Sequence, residues 1–495
     1  MCNFLHNFFL PNLNLDYLIC LCYNLSMAEK KSNGFRTFLL ILTTILLTGV
    51  FGIAGYLVLV PQSSIFGLQW VSNSQIHIIE QFKENGPLIK FSNYNKIVVD
   101  IAGGKGHSHV QVNYDNPTGL TNSQIIFAED TKGFTRVGAS LDYSISVVPS
   151  GSTLNITVSE PEYNFLQLVN NTVLKLNVYQ ADSISGAEII VKTGSGNVRL
   201  GGKSTDTGTA LKTTTGKVDI QTVSGSIVLT ENLDVTSSAK FISESGSIQI
   251  TGEVDDHLDA GNQANNRTIP SVVLQSKTGK ISSADINGNL SIKTFNSHLA
   301  LGSIVGNIDV DMESGILNLK NVSGNLVSEN HLLYTAVSAL EVKGNVTLVN
   351  DDGNFSVDIK SIKGQTAIRT GNKTVKLGNV EKACTVQTIN GLIDVTKSST
   401  NSSKLVLTTT GGGAVYLRGD KLLGENIVST QNGAITLKFG SEAAFDLKAN
   451  SEKNKVYRTW IDSYENPIEA AVGKENSGNK VTLTTVNGFV KVERV

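Results

Sequence analysis

Cysteine is nearly absent from this chain of 495 residues: Cys2, Cys20, Cys22 and Cys384 are all it has. Three precede residue 26, so a single thiol lies within the long C-terminal part. That excludes a disulfide framework there. Cys20 and Cys22 have no second pair at metal-site spacing, which argues against a zinc knuckle. Cys384 reads as a small buried side chain rather than a nucleophile. Proline is scarce at 8 residues, and charged residues make up only 17%. The formal net charge is −2 and no long basic run occurs, so nucleic acid is not an expected partner.

Glycine is what the chain has instead, with 46 residues. Beyond residue 190, glycines recur with an apolar residue two positions on and another four positions on. Gly196 leads Val198 and Leu200, Gly225 leads Ile227 and Leu229, and Gly433 leads Ile435 and Leu437. Gly488, followed by Val490 and Val492, closes the series. Apolar residues two apart share one face of a strand. A Thr or Ser often stands three residues before the glycine, as at Thr193, Thr222, Ser243, Ser276, Thr388, Thr430 and Thr485. The unit reads as strand, turn with glycine, strand. The glycine is expected where the turn takes a positive φ. Steps of nine and of about twenty residues both recur, so two half-units of about nine to eleven residues make a coil of about twenty. One coil has no way to bury its apolar face alone, whereas stacked coils do. The expected fold class is all-β, a β-solenoid with coils of about 20 residues, preceded by one N-terminal transmembrane α-helix.

That helix is expected from Thr37 to Val60, an uncharged apolar run long enough to cross a core of about 30 Å. Lys30, Lys31 and Arg36 precede it, and no Lys or Arg follows until Lys83. The positive-inside bias places the N-terminus in the cytoplasm and the repeats outside. The run reads as an uncleaved signal-anchor at the cell membrane. Four segments follow: residues 1–36 as a cytoplasmic stretch, 37–60 as the anchor, 61–96 as a transition and 97–495 as the repeat domain. Residues 1–26, rich in Phe, Leu and Asn, read as lying upstream of a natural start at Met27. The alternative is a genuine cytoplasmic or interfacial apolar segment.

Phe91 to Val112, Leu154 to Pro161 and Val191 to Leu200 resemble the opening of the bacterial putative-adhesin domain. Leu211 to Leu229 and Val481 to Val492 resemble its Ser/Thr-x-x-Gly rungs. The resemblance covers roughly residues 91 to 495 and departs from a regular pattern between Gly252 and Gly279. It implies a β-strand repeat on a surface or membrane protein. It brings no catalytic residues with it.

Some β-helices cleave polysaccharides with two carboxyls held about 5 to 10 Å apart, so paired carboxylates are the candidates for catalysis. Asp255 and Asp256 sit in a polar insertion, Glu253 to Pro270. Asp351 and Asp352 precede the turn glycine Gly353. Asp309 and Asp311 alternate with Ile308 and Val310 as an outward face should. His107 and His109 face the same way in a strand, yet lack an obvious third ligand. No catalytic, cofactor or metal site is expected, and no cofactor. The first functional expectation is a non-enzymatic, membrane-anchored extracytoplasmic surface protein acting in adhesion or cell-envelope scaffolding. Its expected partners are the membrane, cell-envelope polymers and surface proteins. The alternatives are a polysaccharide-acting enzyme and a membrane signalling or stress-sensing component.

Overall fold

A computed structural model describes residues 40–52, 64–65, 68–81, 87–113, 122–137, 143–161, 167–178, 187–201, 213–230, 232–252, 254–255, 271–400, 402–474 and 477–495. They fall into two compact units. One comprises residues 1–71, 133–139 and 164–166; the other comprises 72–132, 140–163 and 167–495.

In the first unit a helix covers residues 40–52. Thr44 and Thr48 turn their hydroxyls back onto the carbonyls of Leu40 and Thr44, both at 2.7 Å. The described part of this helix spans about 20 Å at 1.5 Å per residue. Among the described residues no helix is long and apolar enough to cross a membrane. The transmembrane helix expected over 37–60 is therefore not supported. Its remaining positions, 37–39 and 53–60, lie outside the described residues. Ser64–Ile65 pairs antiparallel with the start of Leu68–Ile79, and Trp70 meets Phe134 edge-on at 5.0 Å.

The second unit is all-β. Nearly all of the 38 strands described in the chain belong to it, in a large sheet that does not close on itself. Its principle is parallel pairing between a strand and the next but one in sequence. Ile189 pairs with Val218, Val218 with Ala239, Ala239 with Val272, Val272 with Leu290 and Leu290 with Ile308. A second ladder runs beside it through Val198, Ile227, Ile248 and Ile281. All of these side chains are buried. Their neighbours along each strand point outward, as a period of two requires. Between residues 254 and 380 a third buried row adds Val254, Ile286, Ile304, Val322, Val342, Ile362 and Val380. One coil thus contributes two or three short strands. Neighbouring strands of a row are 18 residues apart at Asn289 and Asn307 and 20 apart at Asn325 and Asn345.

Gly315 takes the expected positive φ, at 119°, but several turn glycines obey a different rule. Gly225, Gly246, Gly279, Gly433 and Gly488 do not have positive φ. They are needed because backbone of the preceding repeat passes over them. A Cβ on Gly225 would lie 1.9 Å from the carbonyl oxygen of Gly196, and one on Gly433 would lie 1.7 Å from that of Gly413. Glycine stacks on glycine, coil upon coil. The Thr or Ser three residues earlier is buried and ties the turn shut. The Thr430 hydroxyl receives the Gly433 N–H at 2.6 Å, and the Ser243 and Ser276 hydroxyls receive those of Gly246 and Gly279 at 2.9 Å. Burying such a hydroxyl would be costly without these bonds.

Chain order and stacking order part company at both ends of the ladders. Lys96–Ile101 pairs with Glu188–Thr193 on one side and with Thr153–Ser159 on the other. Thr153–Ser159 is in turn covered by the antiparallel strand Ser144–Ser150. At the C-terminal end Lys480–Thr485 inserts between Glu425–Thr430 and Phe445–Ser451. Phe445–Ser451 is covered by antiparallel Ile468–Val472. Each terminal ladder strand therefore meets a hairpin partner, which blunts an open parallel edge. Phe439 packs edge-on against Phe445 and Trp460 at 5.1 and 5.3 Å, closing the interior there.

One buried position breaks the apolar rule. Lys397 pairs with Val380 in the third row and is 4% exposed. Its Nζ donates to the carbonyl of Ser403 at 2.7 Å, to Asn426 Oδ1 at 2.8 Å and to the carbonyl of Leu423. Burial pulls its pKa down to about 8, with an opposing influence from neighbouring Cys384.

Two outcomes are expected. Gly433→Ala should cost about 3 kcal/mol in urea denaturation, because backbone has to move. Gly103→Ala, at φ 64° with open space around it, should cost only about 1 kcal/mol. Equal losses would contradict the stacking. For Lys397, the folded pKa lies below the unfolded one, so the unfolded chain holds more protons between about pH 8 and 10.5. Stability attributable to this group should therefore rise with pH across that window, by on the order of 3 kcal/mol. Denaturation of the wild type minus that of Lys397→Met, followed from pH 7 to 11, reads this rise; a flat difference refutes it.

Candidate functional site

The outward side of the first ladder carries a groove of about 380 Å³, within the size range of ligand sites. It is lined by side chains from consecutive coils, chiefly Ser271, Asn289, Ser291, Asn307, Asp309 and Asn325, with Val327 at its margin. Leu290 and Ile308, both buried, form its floor. The walls follow from the coil pattern. Each Asn comes directly after a turn glycine and directly before the first inward residue, so the asparagines stack in register.

Hydrogen bonds hold this row. The backbone N–H of Asn307 donates to Asn289 Oδ1 at 3.0 Å, and that of Asn325 donates to Asn307 Oδ1 at 2.9 Å. Asn345 and Gln365 continue the row at 2.8 and 2.9 Å. The amide oxygens are thereby engaged within the protein, and the NH₂ ends are the part left to meet a ligand. Asp309 is exposed and, among the described residues, has no ion-pair partner. Asp311 on the same strand face is matched to Lys293 at 3.4 Å and approached by His331 at 3.7 Å.

The candidates from the sequence fare unevenly. Asp309 and Asp311 do share the outward face, but only Asp309 lines the groove. Asp351 is paired with Arg369 at 2.8 Å, and the Asp352 N–H donates to Asn350 Oδ1, an Asx turn leading into Gly353. Asp255 ends a two-residue strand, and Asp256 lies outside the described residues. His107 meets the Ser195 hydroxyl, and His109 Nδ1 accepts the Asn197 N–H at 2.8 Å. Burial lowers the His109 pKa, opposed by the carboxylate of Glu160. Glu160 itself accepts the His107 N–H at 2.8 Å and the Ser108 N–H at 2.6 Å. These histidines thus hold adjoining coils together. Among the described residues no three of His, Cys, Asp and Glu gather as a metal site. Cys384 is buried in the first ladder, and burial pushes its thiol up to about 12. Cys2, Cys20 and Cys22 lie outside the described residues. The asparagine row escaped the sequence reading. Its signal was present in the Gly-Asn dipeptides 288–289, 306–307, 324–325 and 344–345.

No family model and no curated protein matches the chain. Solved structures do. A protein from Clostridium sporogenes described as a putative cell adhesion protein is 9% identical, covering 86% of this chain and 100% of its own, with a TM-score of 0.16. A putative adhesin from Parabacteroides merdae is 9% identical, covering 86% and 96%, with a TM-score of 0.19. A putative lipid binding protein from Parabacteroides distasonis is 12% identical, covering 74% and 96%, with a TM-score of 0.17. Two of the three are described as adhesion proteins. At such TM-scores the likeness carries no argument about this chain's site or ligand.

A thiol raised this far by burial should resist modification. The folded chain should leave Cys384 unlabelled by a maleimide at pH 8 and label it once urea unfolds the ladders. Labelling at the native rate of a free thiol would contradict its burial.

Proposed function

We propose that the stacked ladders form a β-solenoid, and that the protein is a membrane-anchored extracytoplasmic surface protein acting in adhesion or cell-envelope scaffolding without catalysis. One observation carries the reading. The inward positions of the ladders are committed to packing, while the outward positions repeat in register from coil to coil. A ligand with its own repeat therefore meets many weak, equivalent contacts, and their linkage gives avidity. The family resemblance of residues 91 to 495 supports the same direction. The uncharged run from Thr37 to Val60, with basic residues on its N-terminal side only, supports an anchor with the repeats outside.

Fractionation and surface proteolysis test this together. The full chain, expressed in a bacterial cell, should sediment with membranes and resist alkaline extraction. Protease added to intact cells whose outer layers have been permeabilised should degrade the repeats. Recovery of the intact chain in the soluble fraction, or repeats protected until the membrane itself is lysed, would overturn the reading.

A further inference from the structure

We infer that the groove at Asn289, Asn307, Asn325 and Asp309 is a binding site for a neutral, hydroxyl-rich glycan. This rests on the reading of the chain as an extracytoplasmic surface protein and gives that reading a ligand class.

The chemistry of the walls selects the ligand. A sugar hydroxyl donates one hydrogen bond and accepts others. The groove presents both halves of that requirement: amide NH₂ donors on the asparagines, a carboxylate acceptor on Asp309, and hydroxyls of either sense on Ser271 and Ser291. The donors are held rather than loose. Each Asn carbonyl is already bound to the next coil's backbone N–H, so little side-chain freedom remains to be lost on binding. Their repeat along the ladder, at the strand spacing of about 4.8 Å, offers a row of similar contacts to a polymer. Val327 adds one apolar surface for the C–H side of a ring.

Charge excludes the acidic glycans. Among the described residues Asp309 has no ion-pair partner, and Lys293 lies 3.4 Å from Asp311 instead. A uronate or sulfate would meet uncompensated negative charge, a like-charge contact that costs affinity. Composition disfavours a protein ligand. Protein hot spots draw on Trp, Tyr and Arg in desolvated pockets, and none of these lines the groove.

The test uses the full chain on an array of neutral, N-acetylated and uronate-containing oligosaccharides, with surface binding to envelope fragments read in parallel. Three proteins are compared: wild type, Asn307→Asp and Asn372→Asp. Asn307→Asp keeps the oxygen that receives the Asn325 N–H, removes the NH₂ donor and adds a negative charge. Asn372→Asp makes the same change in a separate row, where Asn372 receives the side chain of Asn390 at 2.8 Å outside the groove. Expected are binding of neutral glycans by the wild type, a loss of about tenfold in Asn307→Asp, and no change in Asn372→Asp. The inference falls if uronate glycans bind best, if Asn307→Asp binds as wild type, or if no glycan binds. Should glycans fail while envelope fragments or proteins still bind, the groove is refuted and the surface reading stands. Should neither bind and the chain prove cytosolic, both are refuted.

Discussion

Backbone passing over backbone at the turn glycines is the constraint on which this architecture depends. The carbonyl of one coil occupies the place where a Cβ of the next would sit, at 1.9 Å for Gly225 and 1.7 Å for Gly433. Only glycine allows coils to approach at the strand spacing of a parallel sheet there. The buried Thr or Ser three residues before fixes the turn at that approach, and the apolar residues two and four after it then fall into register. Packing in one coil thereby dictates packing in the next. The same geometry explains why a single displaced turn would be felt along a whole row of buried side chains.

This division of labour leaves function to the outward positions. Inside, most residues of the ladders are aliphatic; among the polar departures Thr294 and Ser297 bury hydroxyls with no hydrogen-bond partner among the described residues, whereas others are satisfied. Lys397 has three acceptors for its ammonium, and the stacked hydroxyls bond to the backbone of their own turns or of adjoining coils. Outside, side chains are free to differ without disturbing the ladder. The groove at Asn289 to Asn325 is built from such positions. The amide row there also stabilises the stack, so its geometry is set by the fold. The antiparallel strands at each end keep the ladders from adding further strands, which otherwise favours association edge to edge.

The period and the inward faces were legible in the chain because they are local. An apolar residue two and four positions after a glycine has few alternative uses, and Val198, Leu200, Ile435 and Leu437 are buried as that pattern requires. The role of several turn glycines was misread, since a positive φ and a close approach select the same residue. Stacking order was not legible at all. The strand Lys480–Thr485 has the same alternation as Phe445–Ser451, and nothing local says which of them lies against Glu425–Thr430. Lys397 was invisible for a similar reason, because two of its acceptors come from Leu423 and Asn426, 26 and 29 residues away. Of the site, Asp309 was legible as an outward carboxylate. The asparagines beside it were masked by their commonplace role in turns.

Disulfide trapping tests the stacking most directly. Ile427 and Thr482 are register partners in adjacent coils, and Thr482 pairs in turn with Lys448. Adjacent strands put paired Cα atoms about 4.8 Å apart, within reach of a disulfide, whereas coils two steps apart lie near 9.6 Å, beyond it. Cysteines at Ile427 and Thr482 should therefore cross-link on mild oxidation, while cysteines at Ile427 and Lys448 should not. The reverse pattern would mean that the coils follow one another simply in chain order, and the account of an inserted C-terminal coil locked by its glycines would be wrong.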